Sequence, residues 1–222
     1  VLNLILNYWM QDSFKHQGLR NKLVSDLKTK GIKDNSVLEA IKNVPRHLFM
    51  DSGFLHHAYL DKAFPISSGQ TISQPFTVAF QTELLNVKKN HRILEIGTGS
   101  GYQAAILCYM GARVYTIERI KELFRKTSVF LPSINYRPKK MIYGDGYRGY
   151  IDESPYDSII VTAGASEIPQ SLISQLKIGG RMVIPVGDQV QQMKLVIKTS
   201  ESDYELHNFG DFQFVPMLKD KN

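Results

Sequence analysis

A glycine-rich stretch in the middle of the chain has the residue types of a ligand-binding turn. Residues 94–102 read LEIGTGSGY, an apolar run that ends in glycines and opens a helix-like segment. Glycines let the backbone approach a ligand closely, and the N-terminus of the following helix presents free N–H groups. A dinucleotide fingerprint requires Gly-x-Gly-x-x-Gly. The glycine after Gly97 and Gly99 comes one residue early, at Gly101, so this turn does not favour a pyrophosphate.

Acidic residues accompany this turn and the ends of the next two strand-like runs. Gly-x-Gly-x-Gly behind an acidic residue, here Glu95, is typical of enzymes that bind S-adenosylmethionine, which has no pyrophosphate. Glu118 ends the next run, about 20 residues after the turn, where a carboxylate can accept hydrogen bonds from both ribose hydroxyls. Asp145, between Gly144 and Gly146, is placed to accept a hydrogen bond from the adenine amino group, although Gly-Asp-Gly also makes plain turns. The three turns together predict a nucleoside site at one sheet edge.

From Arg92 onward, predicted strands alternate with predicted helices, and these elements must position the residues named above. Strands are predicted over 92–96, 113–117, 140–143, 156–162 and 180–185, and helices over 102–110, 121–131 and 169–176. This alternation predicts an α/β fold, a parallel sheet with helices on both faces. Runs 191–198 and 204–209 follow without a helix and predict an antiparallel C-terminal edge. We therefore expect a mostly parallel seven-stranded sheet.

The chain ahead of the sheet contains short helices and one long irregular segment. Helical spacing of apolar residues predicts helices over 19–30, 37–44 and 76–85. Residues 45–75 lack such spacing, and long segments of this kind are often functional. We expect its polar side chains to have surface or packing roles rather than to line a pocket. These are His47, His56, His57, Tyr59 and Asp61.

Composition and charge limit the class of protein. The 222 residues are 43% hydrophobic and 22% charged, which indicates one large globular domain and excludes disorder. The net charge of +6 suits anionic partners, but no basic run marks a nucleic-acid arm. Cys108 is the only cysteine, which excludes an internal disulfide and a multi-cysteine metal site and fits a reducing compartment. Val1 to Trp9 is too short to span a bilayer and lacks the features of a secretory signal. It is either an extension upstream of Met10 or a short packing segment.

Several segments match one enzyme family in order along the chain. They are TISQP (71–75), ILEIGTGSGYQAA (93–105), VYTIER (114–119), GDGYRGY (144–150), YDSIIVTAG (156–164) and GGRMVIPVG (179–187), flanked by VPRHLF (44–49) and FVPM (214–217). Together they resemble the protein-L-isoaspartate O-methyltransferases. The glycine turn is shared by many methyltransferases, whereas residues 72–75 are particular to this family. The resemblance implies a Rossmann-like class I methyltransferase fold with S-adenosylmethionine as cofactor.

The resemblance also implies which reaction is catalysed and which serine takes part in it. The reaction is methyl transfer to the free α-carboxyl of L-isoaspartyl residues in damaged proteins and peptides, which starts repair through a succinimide. The family's active-site serine carries over to Ser73, which we interpret as a hydroxyl that orients the carboxylate. A carboxylate with a pKa near 4 is already ionised at neutral pH. Its attack on a sulfonium methyl removes charge, so positioning and desolvation matter more than a general base.

The expected site residues follow from the turns and the resemblance. The catalytic residue is Ser73, and the substrate contacts are Ile72, Ser73 and Val215. The cofactor contacts are Ile72, Gln74, Glu95, Gly97, Thr98, Gly99, Ser100, Gly101, Glu118, Arg119, Asp145, Gly146 and Thr162, and no metal is expected. We divide the chain into an extension (1–17) and one methyltransferase domain (18–222), itself a helical, substrate-covering segment (18–75) and a cofactor-binding core (76–222).

Two other interpretations stay open. The first is a methyltransferase that acts on RNA or a small molecule, which would more often need a base. The second is a non-catalytic module that binds the cofactor without turnover. If the chain is a protein-L-isoaspartate methyltransferase, its partners are isoaspartyl-containing proteins and peptides, with no nucleic acid and no membrane. In that case we also expect a cytoplasmic monomer.

Overall fold

The computed structural model describes residues 12–222. The predictions for Val1 to Trp9 fall outside this part of the chain. Helix α1 (Phe14–Thr29) begins earlier than predicted, because the Ser13 hydroxyl accepts a hydrogen bond from the backbone N–H of His16 at 3.3 Å. In the part of the chain that is described, no helix has the length and apolar character needed to cross a membrane.

The segment ahead of the sheet is helical at both ends and irregular between them. Helix α2 (Asn35–Asn43) is capped by Asp34, and α3 (Pro75–Leu85) begins at a proline. Short 3-10 turns cover Arg46–Phe49, Ser52–His57 and Ser67–Gly69, and strands β1 (Phe64–Pro65) and β2 (Thr71–Ile72) pair antiparallel. This small hairpin leads directly into residues 73–75.

The predicted seven-stranded sheet is confirmed. Its strands are β3 (Arg92–Ile96), β4 (Arg113–Glu118), β5 (Lys140–Tyr143), β6 (Tyr156–Val161), β7 (Leu176–Val186), β8 (Gln191–Lys198) and β9 (Tyr204–Phe212). They lie in the order β5-β4-β3-β6-β7-β8-β9. The pairs from β5 to β7 are parallel, whereas β7–β8 and β8–β9 are antiparallel. The chain reverses its direction of progress between β3 and β6, and ligands bind at such a switch point.

Three helices follow sheet strands, and one of them differs from the prediction. They are α4 (Tyr102–Tyr109), α5 (Lys121–Ser133) and α6 (Gln170–Ser174). The predicted helix over 169–176 is too long, because Leu176 already pairs with Tyr156 as the first residue of β7. The pairing of β6 with β7 is then offset between Tyr156 and Ser158, so the strand contains an irregularity that local periodicity does not show.

Apolar side chains pack on both faces of the sheet and fix its position. One cluster joins the sheet to α2, α3 and α4 and includes Leu38, Val78, Ile93 and Ile106. The other, on the opposite face, includes Leu94, Ile117, Leu172 and Met182. Buried strands of this kind explain the near-continuous apolar runs in the sequence. The carboxyl ends of β3, β4 and β6 are thereby held side by side.

Candidate active site

A cavity opens at the carboxyl ends of the parallel strands. Its volume is about 310 Å³, within the range of about 300–1,000 Å³ that is usual for small-molecule sites. Residues that end or follow three sheet strands line one side, and the segment around Ser73 lines another. Of the predicted site residues, the cavity brings together Ile72, Ser73, Gly97, Thr98, Gly99, Ser100, Glu118, Arg119, Gly146, Thr162 and Val215.

The glycine turn fits tightly between its neighbours. The backbone N–H groups of Gly97 and Thr98 both donate to the carbonyl of Ile117, at 2.9 and 3.1 Å. The Thr162 hydroxyl donates to the carbonyls of Ile96 and Gly97, at 3.0 and 2.8 Å. A Cβ atom at Gly97 would lie 2.5 Å from that hydroxyl oxygen, so only glycine fits there. The sequence predicted that the backbone at this glycine approaches a ligand closely. In the structure it also approaches the Thr162 side chain.

Glu118 is placed to bind a ribose. It is 4% exposed and lines the cavity. One carboxylate oxygen accepts from the backbone N–H of Gly99 and the other from that of Ile120, each at 2.8 Å. An ionised carboxylate offers about four acceptor positions, so both oxygens retain capacity for a second donor. Two neighbouring hydroxyls, such as those of a ribose, match this arrangement.

Glu95 lies beneath the glycine turn and has no exposed surface. Burial raises the pKa of its carboxyl to about 8, an effect that the Thr116 hydroxyl and the Ala104 N–H partly offset and the charge of Glu118 reinforces. The side chain is therefore mostly protonated at neutral pH. It does not line the cavity, so its predicted contact with the cofactor stays a prediction.

We expect Glu95→Gln to remove a pH dependence of stability. Between about pH 5 and pH 8, the native protein keeps the Glu95 proton, whereas the unfolded chain, with a pKa near 4.5, has lost it. A rise in pH therefore favours unfolding, by at most about 1.4 kcal/mol per pH unit. Urea unfolding of both proteins across this range isolates Glu95 from the other titrating groups. Parallel curves for the two proteins would contradict the assignment.

Gly101 has a packing role that the sequence pattern did not show. It precedes α4 with φ +85°, and a Cβ atom there would lie 2.8 Å from Thr127 Cγ2 and 3.0 Å from Leu131 Cδ2. It does not line the cavity. This glycine therefore lets α5 pack against the turn.

We expect Gly101→Ala to lower the free energy of unfolding by about 2–4 kcal/mol, because positive φ and crowding both penalise a side chain there. Gly210→Ala is the matched control. Gly210 has φ +84°, and a Cβ atom there would have no neighbour within 4 Å, so only the backbone penalty of about 1–2 kcal/mol applies. Denaturant unfolding measures both variants. Equal losses would show that crowding by α5 contributes nothing.

The segment around Ser73 and the segment around Val215 both line the cavity. Ser73 is half-buried and follows β2 directly. The carbonyl of Val215 accepts from the Gly164 N–H at 2.8 Å, and the Met217 N–H donates to the Gly164 carbonyl at 2.7 Å. These bonds attach the C-terminal segment to the loop after β6. The two predicted substrate contacts, Ser73 and Val215, therefore line the same cavity.

Two further predicted cofactor contacts lie outside the cavity lining. The Gln74 amide donates to Asp61 at 3.1 Å. The Asp145 carboxylate accepts from the N–H groups of Tyr147 and Asp220, at 2.9 and 3.1 Å. Asp145 caps a 3-10 turn, which is the plain-turn role that the Gly-Asp-Gly sequence also allows. Contacts of these side chains with the cofactor stay predictions.

The cavity also has lining residues that sequence reasoning missed. They are apolar for the most part and include Val78, Ile96, Ile117, Ile120, Met217 and Leu218. Ile117 and Ile120 flank Glu118, which the sequence predicted as a site residue. Their position at the end of the same strand was the signal that could have identified them. Met217 and Leu218 come from the far end of the sequence, and no local pattern relates them to the glycine turn. Apolar walls of this kind suit an adenine ring.

A polar cluster away from the cavity explains two of the predicted packing residues. Asp12, His16 and His47 have potential ligand atoms within 4.8 Å of one another. However, both Asp12 oxygens accept from Arg20, at 2.6 and 2.7 Å, and a guanidinium charge there repels a cation. The His47 ring stacks on His16 at 3.9 Å, and its Nδ1 lies 2.6 Å from the Tyr59 hydroxyl oxygen. The cluster packs α1 onto the irregular segment.

The sheet order, the glycine turn and the cavity-lining Glu118 are those of a class I methyltransferase that uses S-adenosylmethionine. The family model for protein-L-isoaspartate(D-aspartate) O-methyltransferase matches residues 18–222. The chain belongs to the protein-L-isoaspartate O-methyltransferase family.

Individual relatives agree with this membership. A protein-L-isoaspartate O-methyltransferase of Flavobacterium johnsoniae is 62% identical over 213 residues, which cover 96% of this chain and 100% of the relative. One of Christiangramia forsetii is 60% identical with the same coverage.

Two solved structures are also similar. A protein-L-isoaspartate O-methyltransferase superposes with a TM-score of 0.81 at 28% identity, covering 89% of this chain and 65% of the other. A structure from Plasmodium falciparum, described under the same activity and in complex with S-adenosyl-L-homocysteine, gives 0.79 at 26% identity, covering 90% and 99%.

Proposed function

We propose that this chain methylates the free α-carboxyl of L-isoaspartyl residues in damaged proteins and peptides, using the residues of the cavity at the carboxyl ends of the strands. The observation that carries the proposal is that a single cavity is lined by both groups of predicted residues. We assign Glu118 and the glycine turn to a cofactor half of the site and Ser73 and Val215 to an acceptor half. A cofactor and a peptide carboxylate can therefore meet in a single space.

The residues of the cavity fit S-adenosylmethionine, which supplies a methyl group on a positively charged sulfur. Glu118 would hold the ribose through the spare acceptor positions of its carboxylate. Ile117, Ile120 and Leu218 would pack on the adenine, and the backbone of Thr98 to Ser100 would lie along the remainder. At Gly99 the space beside the backbone is nearly open, since a Cβ atom there would have Ile66 Cδ1, at 3.8 Å, as its nearest neighbour.

The chemistry asks the protein to position the acceptor and to exclude water. A carboxylate oxygen forms the new C–O bond as the S–C bond breaks, and the sulfur keeps the electron pair. The acceptor is already ionised, so no side chain has to remove a proton. We assign the Ser73 hydroxyl to donate a hydrogen bond to the acceptor carboxylate and the Val215 segment to hold the peptide backbone. Opposite charges are neutralised in this step, which a water-poor cavity favours.

We further propose that the protein acts as a monomer in the cytoplasm, on protein and peptide substrates. Its single cysteine fits a reducing compartment. The net charge of +6 favours encounters with substrates whose acceptor group is a carboxylate, as that of an isoaspartyl residue is.

The proposal is tested by the production of S-adenosyl-L-homocysteine in the presence of candidate acceptors. We expect turnover with an isoaspartyl peptide and none with total RNA. Turnover with RNA or a small molecule, but not with the peptide, would overturn the proposed acceptor. Thermal stabilisation by S-adenosylmethionine without turnover on any acceptor would instead indicate a binding module.

A further inference from the structure

We propose that Asp61 is a positioning residue for methyl transfer, because it fixes the segment that contains Ser73, a residue that lines the cavity. This inference rests on the proposed function, in which Ser73 orients the acceptor carboxylate. Asp61 lies in the long irregular segment and does not line the cavity itself. Its side chain is 12% exposed, so its contacts are largely protected from solvent.

Both carboxylate oxygens of Asp61 contact the residues that follow Ser73. One oxygen accepts from the backbone N–H of Phe76 at 2.7 Å. The other accepts from the side-chain amide of Gln74 at 3.1 Å and from Lys30 Nζ at 2.5 Å. The carboxylate therefore holds positions one and three residues beyond Ser73.

Asp61 also supplies a helix cap that the local sequence lacks. Helix α3 starts at Pro75, and Gln74, directly before it, makes no side-chain capping hydrogen bond. The first N–H groups of a helix have no partner within the helix. Asp61 satisfies the N–H of Phe76 from fifteen residues upstream, and its negative charge suits the helix N-terminus. The start of α3, and with it Ser73, is fixed by a tertiary contact.

One cation forms an ion pair with Asp61, and a second interacts with it only through its charge. Lys30, the residue after α1, forms an ion pair with its carboxylate. Arg46 is fully buried, and the negative charge of Asp61 is among the interactions that stabilise its positive charge there. The carboxylate thus connects the helical segment ahead of the sheet to the loop that carries Ser73. A displaced Ser73 hydroxyl would leave the acceptor carboxylate poorly oriented.

The test is a kinetic double-mutant cycle in the full chain, with an isoaspartyl peptide as acceptor. We expect Asp61→Ala to lower kcat about 10- to 100-fold, since small misplacements of reacting groups cost that much. The dissociation constant of S-adenosyl-L-homocysteine should rise by a much smaller factor than kcat falls, because Asp61 holds only one predicted cofactor contact, Gln74, and does not contact Glu118 or the glycine turn. In a Ser73→Ala background, Asp61→Ala should have almost no further effect on kcat.

Asp157→Ala is the matched control. Asp157 also accepts from one backbone N–H, that of Arg92, at 2.7 Å and from one lysine, Lys177, at 2.5 Å. It lies at the opposite, amino end of the sheet strands. We expect Asp157→Ala to lower stability but not kcat.

Asp61→Asn is a second variant in case the alanine variant folds poorly, since Asn retains an acceptor for the Phe76 N–H. We expect Asp61→Asn to lower kcat several-fold.

Unchanged kcat in both Asp61 variants would overturn the inference. An equal loss of kcat in the presence and absence of Ser73 would also overturn it, because Asp61 would then not act through Ser73. The same applies if Asp157→Ala lowers kcat as much as Asp61→Ala. These outcomes leave the proposed function standing. An inactive wild-type protein on the isoaspartyl peptide would instead overturn the proposed function, and the role of Asp61 with it.

Discussion

Ser73→Ala is expected to lower kcat for methyl transfer to an isoaspartyl peptide by about 10²-fold, because the acceptor carboxylate loses the hydroxyl that orients it and a misplaced reacting group costs about that much. Ser73 lines the cavity, whereas Glu118 and the glycine turn, the proposed cofactor contacts, are on other elements. The dissociation constant of S-adenosylmethionine should therefore change less than about twofold. Steady-state kinetics and calorimetric titration measure the two quantities.

Ser128→Ala is the control for this variant. The Ser128 hydroxyl donates to the Arg125 carbonyl on the exposed face of α5, away from the cavity. We expect its kcat to equal that of the wild type. Unchanged turnover in Ser73→Ala would remove Ser73 from the reaction. Loss of cofactor binding in that variant would show that Ser73 belongs to the cofactor half of the site.

Glu118→Ala is expected to weaken S-adenosylmethionine binding by about 1–3 kcal/mol, or roughly 5- to 150-fold in the dissociation constant. The variant loses the acceptor for the ribose hydroxyls. It also leaves the N–H groups of Gly99 and Ile120 without the carboxylate that holds them. Both effects act on the cofactor half of the cavity, and calorimetric titration measures the change.

Glu122→Ala separates this contact from a general change of charge. Glu122 lies in the first turn of α5, accepts from the Ser68 hydroxyl at 2.9 Å and does not line the cavity. The two variants change the net charge equally. We expect Glu122→Ala to bind S-adenosylmethionine almost as the wild type does. Equal affinities in the wild type and Glu118→Ala would remove Glu118 from the site.

The cofactor half of the site could be predicted because its signals are local. The glycine turn and Glu118 each sit directly at the end of an apolar run, and parallel strands bring such ends together at one edge. The same rule placed Asp145 near this edge but could not decide where its carboxylate would point. Its own turn provides an N–H donor, and so does Asp220 from the far end of the chain.

The parts that sequence could not predict depend on distant contacts. Asp61 was expected to have only a surface or packing role, because nothing near it in sequence indicates that it caps a helix fifteen residues away. Leu176 continues the helical spacing of the preceding residues, but pairing with Tyr156 places it in a strand. In both cases the tertiary partner, rather than local propensity, determines the outcome.

The identity of the methyl acceptor decides which reaction this protein catalyses. The most direct measurement is transfer of labelled methyl from S-adenosylmethionine to two peptides that are identical except for one isoaspartyl or one aspartyl linkage. We predict base-labile label on the isoaspartyl peptide and none on the aspartyl peptide, because only the former presents the free α-carboxyl. Equal label on both peptides, or label on neither while the cofactor still binds, would contradict this assignment of the acceptor.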